Sequence, residues 1–323
     1  MNGSSRCLSR PGQFVIILAG MLAAAVIVLS LCMTGSGQAA VSAQYEQYTQ
    51  HISSAPGGGD CGNIGVWNDQ AQSCTLSGDV SFAAGSGIEI DSDGIVLDGG
   101  GHAVTGGGSG NGVFLSGRSN DTVQNIILSQ FGNGVEADST SNSLFSNVSV
   151  TGSGGIGINL SMSTGNTLAH DSGDQNTAGF VFDTSNDNSL LDSSFTNSSG
   201  GDGIAMMNSS GNSLIGNTSD MNAGNGFCID PGNTSNRFIG NETSANANNG
   251  FWLNSSDGNT ITGCQNGNGV QLLTPLPALA GDIGPGGSGS VTLRYQVPDA
   301  VATWNAINAG HAYAADGVEY AYP

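Results

Sequence analysis

The chain contains no lysine, and only five of its 323 residues are arginine. Arg6 and Arg10 precede the first apolar run, so Arg118, Arg237 and Arg294 alone face 25 acidic residues, and the net charge is −20. Nucleic acid and anionic lipid surfaces are recognised by clustered Lys and Arg, so this balance excludes both as partners. Charged residues reach only 9 %, and beyond the N-terminal segment no helix formers recur at 3.6-residue spacing, which excludes a helical architecture. An acidic chain of this kind suits solubility, cation binding or a salty exterior.

What is present at the N-terminus is a targeting segment. Arg6 and Arg10 form a basic region, Phe14 to Met33 is almost unbroken apolar sequence, and Val41-Ser42-Ala43 offers a cleavage site. The run has about the 20 residues that span a bilayer, so residues 1–43 are either a signal peptide or an uncleaved anchor, the only membrane association expected. Either route places the rest of the chain at the cell surface or outside the cell. Cys7 and Cys32 belong to this segment, which leaves Cys61, Cys74, Cys228 and Cys264. An even count in an exported chain favours disulfides over metal sites. Cys61 and Cys74 are close enough in sequence to staple one short loop.

Glycine, 53 residues of it, is abundant because the chain repeats. A Gly followed by alternating apolar residues recurs at Gly112, Gly134, Gly157, Gly179, Gly203, Gly226 and Gly250, at spacings of 22, 23, 22, 24, 23 and 24. A second signature follows each Gly: Asp121-Thr-Val, Asn142-Ser-Leu, Asn166-Thr-Leu, Asn188-Ser-Leu, Asn212-Ser-Leu, Asn236-Arg-Phe and Asn259-Thr-Ile. A column Asn125, Asn147, Asp171, Ser193, Asn217 and Asn241 comes about five residues later. Alternation over four residues is strand language, and a fixed period of this length means stacked coils. The fold expected is all-β, a right-handed parallel β-helix over residues 61–272. Val113, Val135, Ile158, Phe180, Ile204, Phe227 and Phe251 form one inward column, with Leu115, Ala137, Leu160, Phe182, Met206, Ile229 and Leu253 beside it. Corner Asn tolerates left-handed backbone, and stacked copies can pass amide hydrogen bonds from coil to coil.

Residues 44–60 read as a linker. Residues 61–106 read as the N-terminal cap, with Ile88-Glu-Ile and Ile95-Val-Leu as its first strands. Residues 273–323 form a short C-terminal β segment, in which Ser290-Val-Thr-Leu-Arg-Tyr-Gln-Val alternates cleanly; it is either a cap or part of an immunoglobulin-like sandwich.

The Gly-Φ-x-Φ and Asn-Ser/Thr-Leu-x-x-Asn pattern resembles the NosD-type β-helix repeat, within the wider group of carbohydrate-binding proteins and sugar hydrolases. Ile95-Val-Leu-Asp-Gly-Gly-Gly-His-Ala-Val-Thr-Gly106 is similar to an opening motif of that group. Cys61-Gly-Asn-Ile-Gly-Val-Trp67 with Cys74-Thr-Leu-Ser-Gly-Asp79 is similar to its first coil, and the resemblance implies that the two cysteines are bridged. Proteins named for NosD assist copper-site maturation. Sugar-active members of the wider group use residues on the outward face of one sheet.

On that face the repeat places Phe114/Ser116, Glu136/Asp138, Asn159/Ser161, Val181/Asp183, Ala205/Met207, Cys228/Asp230 and Trp252/Asn254. Glu136, Asp138, Asp183, Asp230 and Trp252 are the ligand-face candidates: carboxylates on alternate coils plus an aromatic ring suit an extended polysaccharide. No catalytic residue is nominated. Hydrolysis needs two carboxylates within about 9.5 Å, one kept protonated. Uronate lyases and epimerases of the group use Ca²⁺ with Arg or Lys, or a His/Tyr pair, and this chain has no Lys, with Arg118 and Arg237 far apart along the stack. A binding protein is therefore favoured over a lyase, hydrolase or epimerase, with a structural surface protein or a NosD-like copper-related factor as further alternatives. No cofactor is required, Ca²⁺ being the one ion this face could accept. His170 with Asp171 and Asp174 is a weaker cluster, since His170 falls at a corner and reads as a turn residue. Cys228, outward in mid-strand, and Cys264, in a corner slot, are expected to be free, or paired only if the corner is distorted. Asn-x-Ser/Thr occurs at Asn120, Asn147, Asn159, Asn197, Asn208, Asn217, Asn233, Asn241 and Asn254, mostly as a consequence of composition.

Overall fold

A computed structural model describes residues 48–254, 256, 258–267, 270–272 and 293–296. The targeting segment and most of residues 273–323 lie outside these. The described chain winds as a parallel β-helix with one ten-stranded and one sixteen-stranded sheet. Each strand pairs with the equivalent strand of the next coil, as in Val135 with Ile158, then Ile158 with Phe180.

Both predicted inward columns are buried from Val113 to Leu253. The second sheet adds a third, running Cys74, Leu97, Val123, Phe145, Leu168, Leu190, Leu214, Phe238 and Ile261. The columns interlock by size. Phe227 stacks on Phe251 at 4.5 Å between ring centroids, and Gly173 leaves the room that Phe195 fills, since a Cβ there would lie 2.7 Å from its ring. Burying a Phe or Leu stabilises by about 1.5–3 kcal/mol, but only once the next coil is in place.

The repeat glycine has a steric cause. A Cβ at Gly112, Gly134, Gly157 or Gly179 would lie 2.3 to 2.6 Å from the carbonyl oxygen of the glycine in the following coil. The two backbones pass too closely there for any side chain.

Most coils turn four corners, and most corners use one device: a residue with positive φ followed by a buried polar side chain. In one coil these are Thr184-Ser185, Asp187-Asn188, Asp192-Ser193 and Asn197-Ser198, with φ of 53°, 56°, 46° and 54° at the first residues. The second residue accepts an amide from the preceding coil, as Asn188 Oδ1 does from Asn166 N at 2.8 Å and Ser185 Oγ from Ser163 N at 3.0 Å. Asn222 Oδ1 does the same for Ser198 N at 2.9 Å. Four ladders therefore run along the stack, where the sequence reading identified two.

Two register assignments change. At the Asp187-Asn188 corner the ladder passes through Ser143 in an earlier coil, whose Oγ accepts Asp121 N at 3.0 Å. Asn142 is the positive-φ residue before it, Leu144 is exposed and Phe145 takes the core position. At the Asp192-Ser193 corner Asn125 and Asn147 stand one residue before the buried ladder, in the left-handed column with His170, Asp192, Gly216 and Gly240. The ladder slot in those coils holds Ile126 and Val148, which cannot accept an amide bond, so the strands Thr122–Ser129 and Leu144–Thr151 run on through the corner.

The stretch read as a linker also changes. Gln50–Ile52 is the first strand of the ten-stranded sheet, parallel to Ile88–Ile90. Cys61 opens the short helix Cys61–Ile64 and is bonded to Cys74. At the other end, Leu293–Gln296 lies parallel to Thr260–Asn266, so one strand of the C-terminal segment extends the second sheet. Among the described residues no helix is long and apolar enough to cross a membrane.

Candidate functional site on the outward face of the first sheet

Inward packing of alternate residues forces the intervening side chains of the ten-stranded sheet outward. One outward file runs His51, Glu89, Phe114, Glu136, Asn159, Val181, Ala205, Cys228 and Trp252. The parallel file carries Ser116, Asp138, Ser161, Asp183 and Met207 in register, with Asp91 and Asp230 continuing it at either end.

Asp138 and Asp183 are thus two coils apart in one file, about 10 Å at the usual strand spacing. Asp230 follows after a further two. Each Asp has a local partner: Ser139 Oγ donates to Asp138 at 3.3 Å, and Thr184 Oγ1 donates to Asp183 at 3.0 Å. Glu136 belongs to the other file and is half-buried. Asn159 Nδ2 donates to its Oε1 at 2.8 Å and Asn133 Nδ2 to its Oε2 at 3.0 Å. Burial pushes its pKa upward, the two amides oppose this, and the neighbouring Asp138 charge adds to the rise. Trp252 stands five strands from Glu136 in that file, with Val181 and Ala205 between them. Its indole nitrogen is covered and makes no hydrogen bond. The ring therefore offers a surface rather than a donor.

Around Asp230 the structure assembles a group that the sequence reading missed. Cys228 Sγ lies 3.8 Å from Asp230 Oδ1. Burial, followed by the charges of Asp202 and Asp230, drives the thiol pKa far upward. Asp230 is itself raised by burial and by Asp202. Asp202 starts a third file, in which Asn225 Nδ2 donates to Asp202 at 2.9 Å and Asn249 Nδ2 to Asn225 at 3.0 Å. The signal was the residue immediately before each repeat glycine, which is polar at both ends of the stack and apolar at Ile156 and Ala178.

The remaining candidates separate. His170 is exposed at its corner, Asp171 turns inward to 1 % exposure, and Asp174 accepts Asn197 Nδ2 at 2.7 Å. His102 lies 3.4 Å from Asp79, and Asp98 accepts Gly100 N at 2.9 Å, so that motif builds a corner. Cys228 and Cys264 are unbonded and buried. Cys264 holds the ladder slot that Ser193, Asn217 and Asn241 fill in earlier coils, and Asn241 Nδ2 donates to its sulfur at 3.8 Å. Asn217, Asn233 and Asn241 are buried in ladders, which removes them as glycosylation acceptors.

A second group lies at the first two coils. His51 Nδ1 is 2.9 Å from Asp91 Oδ2 and 3.9 Å from Glu89 Oε2. One donor atom from each of the three lies within 4.8 Å of the others. The sequence reading left His51 in a linker and so did not see it.

Coil-by-coil register and corner ladders define a parallel β-helix protein of the repeat type. The chain belongs to the NosD family, described as periplasmic copper-binding protein, whose model matches residues 54–201 and 170–272 and so more than half of the chain. No curated protein matches it. Among solved structures it is similar to the Dettilon tailspike protein, with a TM-score of 0.52 at 14 % identity over 67 % of this chain. The chain spans 45 % of that tailspike's length. It is also similar to an alginate lyase from Paenibacillus sp., with a TM-score of 0.49 at 12 % identity over 70 % of this chain and 89 % of the lyase. The mannuronan C-5 epimerase A-module of Azotobacter vinelandii gives 0.43 at 15 % identity over 68 % and 79 %. The tailspike likeness agrees with the fold described above, and with the fold alone.

Proposed function

We propose that this is an exported, non-catalytic protein that binds extended polysaccharide along the outward face of its first sheet. The observation that carries the reading is the straight double file with carboxylates at Asp138, Asp183 and Asp230, one on every second coil. With sugars of an extended glycan set one per coil, at about 4.8 Å, every second sugar would meet a carboxylate. Ser161 supplies a hydroxyl partner between Asp138 and Asp183, Glu136 is held in place by two amides, and Trp252 offers a ring on which a sugar can stack. The acidic face favours neutral glycans, or uronates bridged by Ca²⁺. Export is supported by the basic-apolar leader and by the periplasmic description of the family. Affinity electrophoresis through gels containing single polysaccharides tests the proposal. Retardation of the wild type by at least one neutral or Ca²⁺-bridged polysaccharide, lost in Asp183→Ala, is expected. Equal mobility in every gel would remove it.

A second reading, metal binding, is supported by the family description and by the donors present. Cu⁺ prefers thiolates and thioethers. Here Met206 is core, while Met207, exposed Met221 and buried Cys228 belong to different columns. A nitrogen-and-oxygen set suited to a divalent ion does converge, at His51.

A further inference from the structure

We propose that His51, Glu89 and Asp91 form a binding site for a divalent first-row metal ion, with Cu²⁺ held most tightly and Zn²⁺ next. The site is independent of the polysaccharide reading. His51 itself lies outside the residues matched by the family model.

The placement follows from the fold. Gln50 and Ile52 are buried, which turns His51 outward; Ile88 and Ile90 do the same for Glu89. Parallel pairing sets His51 directly beside Glu89, and Asp91 follows on the same strand edge. The backbone beneath is pinned at several points. His51 N donates to Asp60 Oδ2 at 3.0 Å, and Asp91 N donates to Ile52 O at 2.8 Å. Arg118 Nη1 donates to the main-chain oxygen of Asp91 at 2.9 Å. That guanidinium also faces Asp93 at 3.7 Å.

The donor atoms already stand at nearly coordinating separations. With metal–ligand bonds of about 2.0–2.1 Å, neighbouring ligands in a tetrahedral site are roughly 3.3 Å apart. The atoms here lie within 4.8 Å of one another, and the side chains are 31 to 50 % exposed, so small rotations close the site. One imidazole and two carboxylates neutralise a divalent ion and leave positions open for water. Ca²⁺ prefers an all-oxygen shell, and Cu⁺ needs sulfur, so the donor set selects Zn²⁺, Ni²⁺ or Cu²⁺, with Cu²⁺ first in the usual order of affinity. The net charge of −20 raises the local concentration of any such cation. Because His51 and the two carboxylates come from adjacent coils, the ion would clasp the strand Gln50–Ile52 to the strand Ile88–Ile90.

The alternative is an ordinary surface His–Asp pair. Titration of the untagged full chain with Cu²⁺ and with Zn²⁺ by calorimetry, together with Cu²⁺ electron paramagnetic resonance, separates the two. One tight equivalent with hyperfine coupling to one imidazole nitrogen is expected. His51→Ala should weaken it about tenfold or more, and so should Glu89→Gln/Asp91→Asn. His102→Ala should leave it unchanged. Absence of tight binding to the wild type, or an unaltered affinity and spectrum in a folded His51→Ala protein, would overturn the proposal. Hydrogen exchange of residues 50–60 should also slow on adding Zn²⁺ to the wild type and not to His51→Ala.

Discussion

Asp171 accepts the amide of Val148 at 2.8 Å, in a ladder slot where the later coils use Asn or Ser. Its second oxygen is buried and has no partner, and burial pushes its pKa up to about 7. The unfolded chain titrates near the ordinary Asp value of about 3.9. The folded state therefore binds the extra proton between these values. The contribution of Asp171 to stability is fully present below about pH 4 and is lost as pH rises through about 7. Asp121, raised to about 6, adds to the loss in the lower part of the same window. Asp171→Asn should leave stability at pH 4 nearly unchanged, raise it at pH 8 and flatten the slope between them. Thermal unfolding across this range checks the expectation; an unchanged slope would refute it.

The neutral ladders make a complementary case. Asn217 accepts Ser193 N at 3.0 Å, and its Nδ2 donates to Leu190 O at 2.9 Å and to Asn241 Oδ1 at 3.0 Å. Asn217→Ala strands these buried groups, each worth about 1–3 kcal/mol when unsatisfied. A loss of about 2–4 kcal/mol is expected in urea unfolding. Asn197→Ala, at a partly exposed corner, should lose less than half as much.

Close passage of the backbones predicts intolerance at the repeat glycines. A Cβ at Gly179 would sit 2.3 Å from the carbonyl oxygen of Gly203 and 2.8 Å from Phe195 Cβ. Gly179→Ala should destabilise by about 1–3 kcal/mol or more, whereas Gly62→Ala meets nothing within 4 Å and should be neutral. Native-state hydrogen exchange would show the coils on either side of residue 179 opening first.

The cysteines divide by environment. Cys228 and Cys264 are 3 % and 1 % exposed, and burial raises both thiols. Iodoacetamide at neutral pH should label neither in the native protein and both after unfolding. Peptide mapping without reduction should recover Cys61 joined to Cys74. Opening that bond should cost about 3 kcal/mol, the usual value for a loop of this size.

Much of the fold was legible because burial repeats: Val113 to Phe251 and Leu115 to Leu253 advance by one coil at each step, and a one-residue slip would turn every member outward. The corners were less legible. Asn is used both as the left-handed residue, at Asn142 and Asn147, and as the buried acceptor, at Asn166 and Asn217, so identity alone does not separate the roles. Burial does, through Leu144 and Phe145. The strand Gln50–Ile52 escaped because three residues carry no period of their own; only pairing with Ile88–Ile90 defines it, and His51 was lost with it. On the outward face the positions of Glu136, Asp138, Asp183, Asp230 and Trp252 could be read from register. The contacts made by Asp202 could not, since they depend on the turn before Gly203.

Under the proposed function, one face reads a polymer along its length. Calorimetry against a size ladder of a retained oligosaccharide tests it directly. Affinity should rise with chain length until the oligomer spans the coils from Asp138 to Asp230, then level off, with the gain lost in Asp183→Ala. An affinity independent of length, or a length dependence unchanged by Asp183→Ala, would contradict the account.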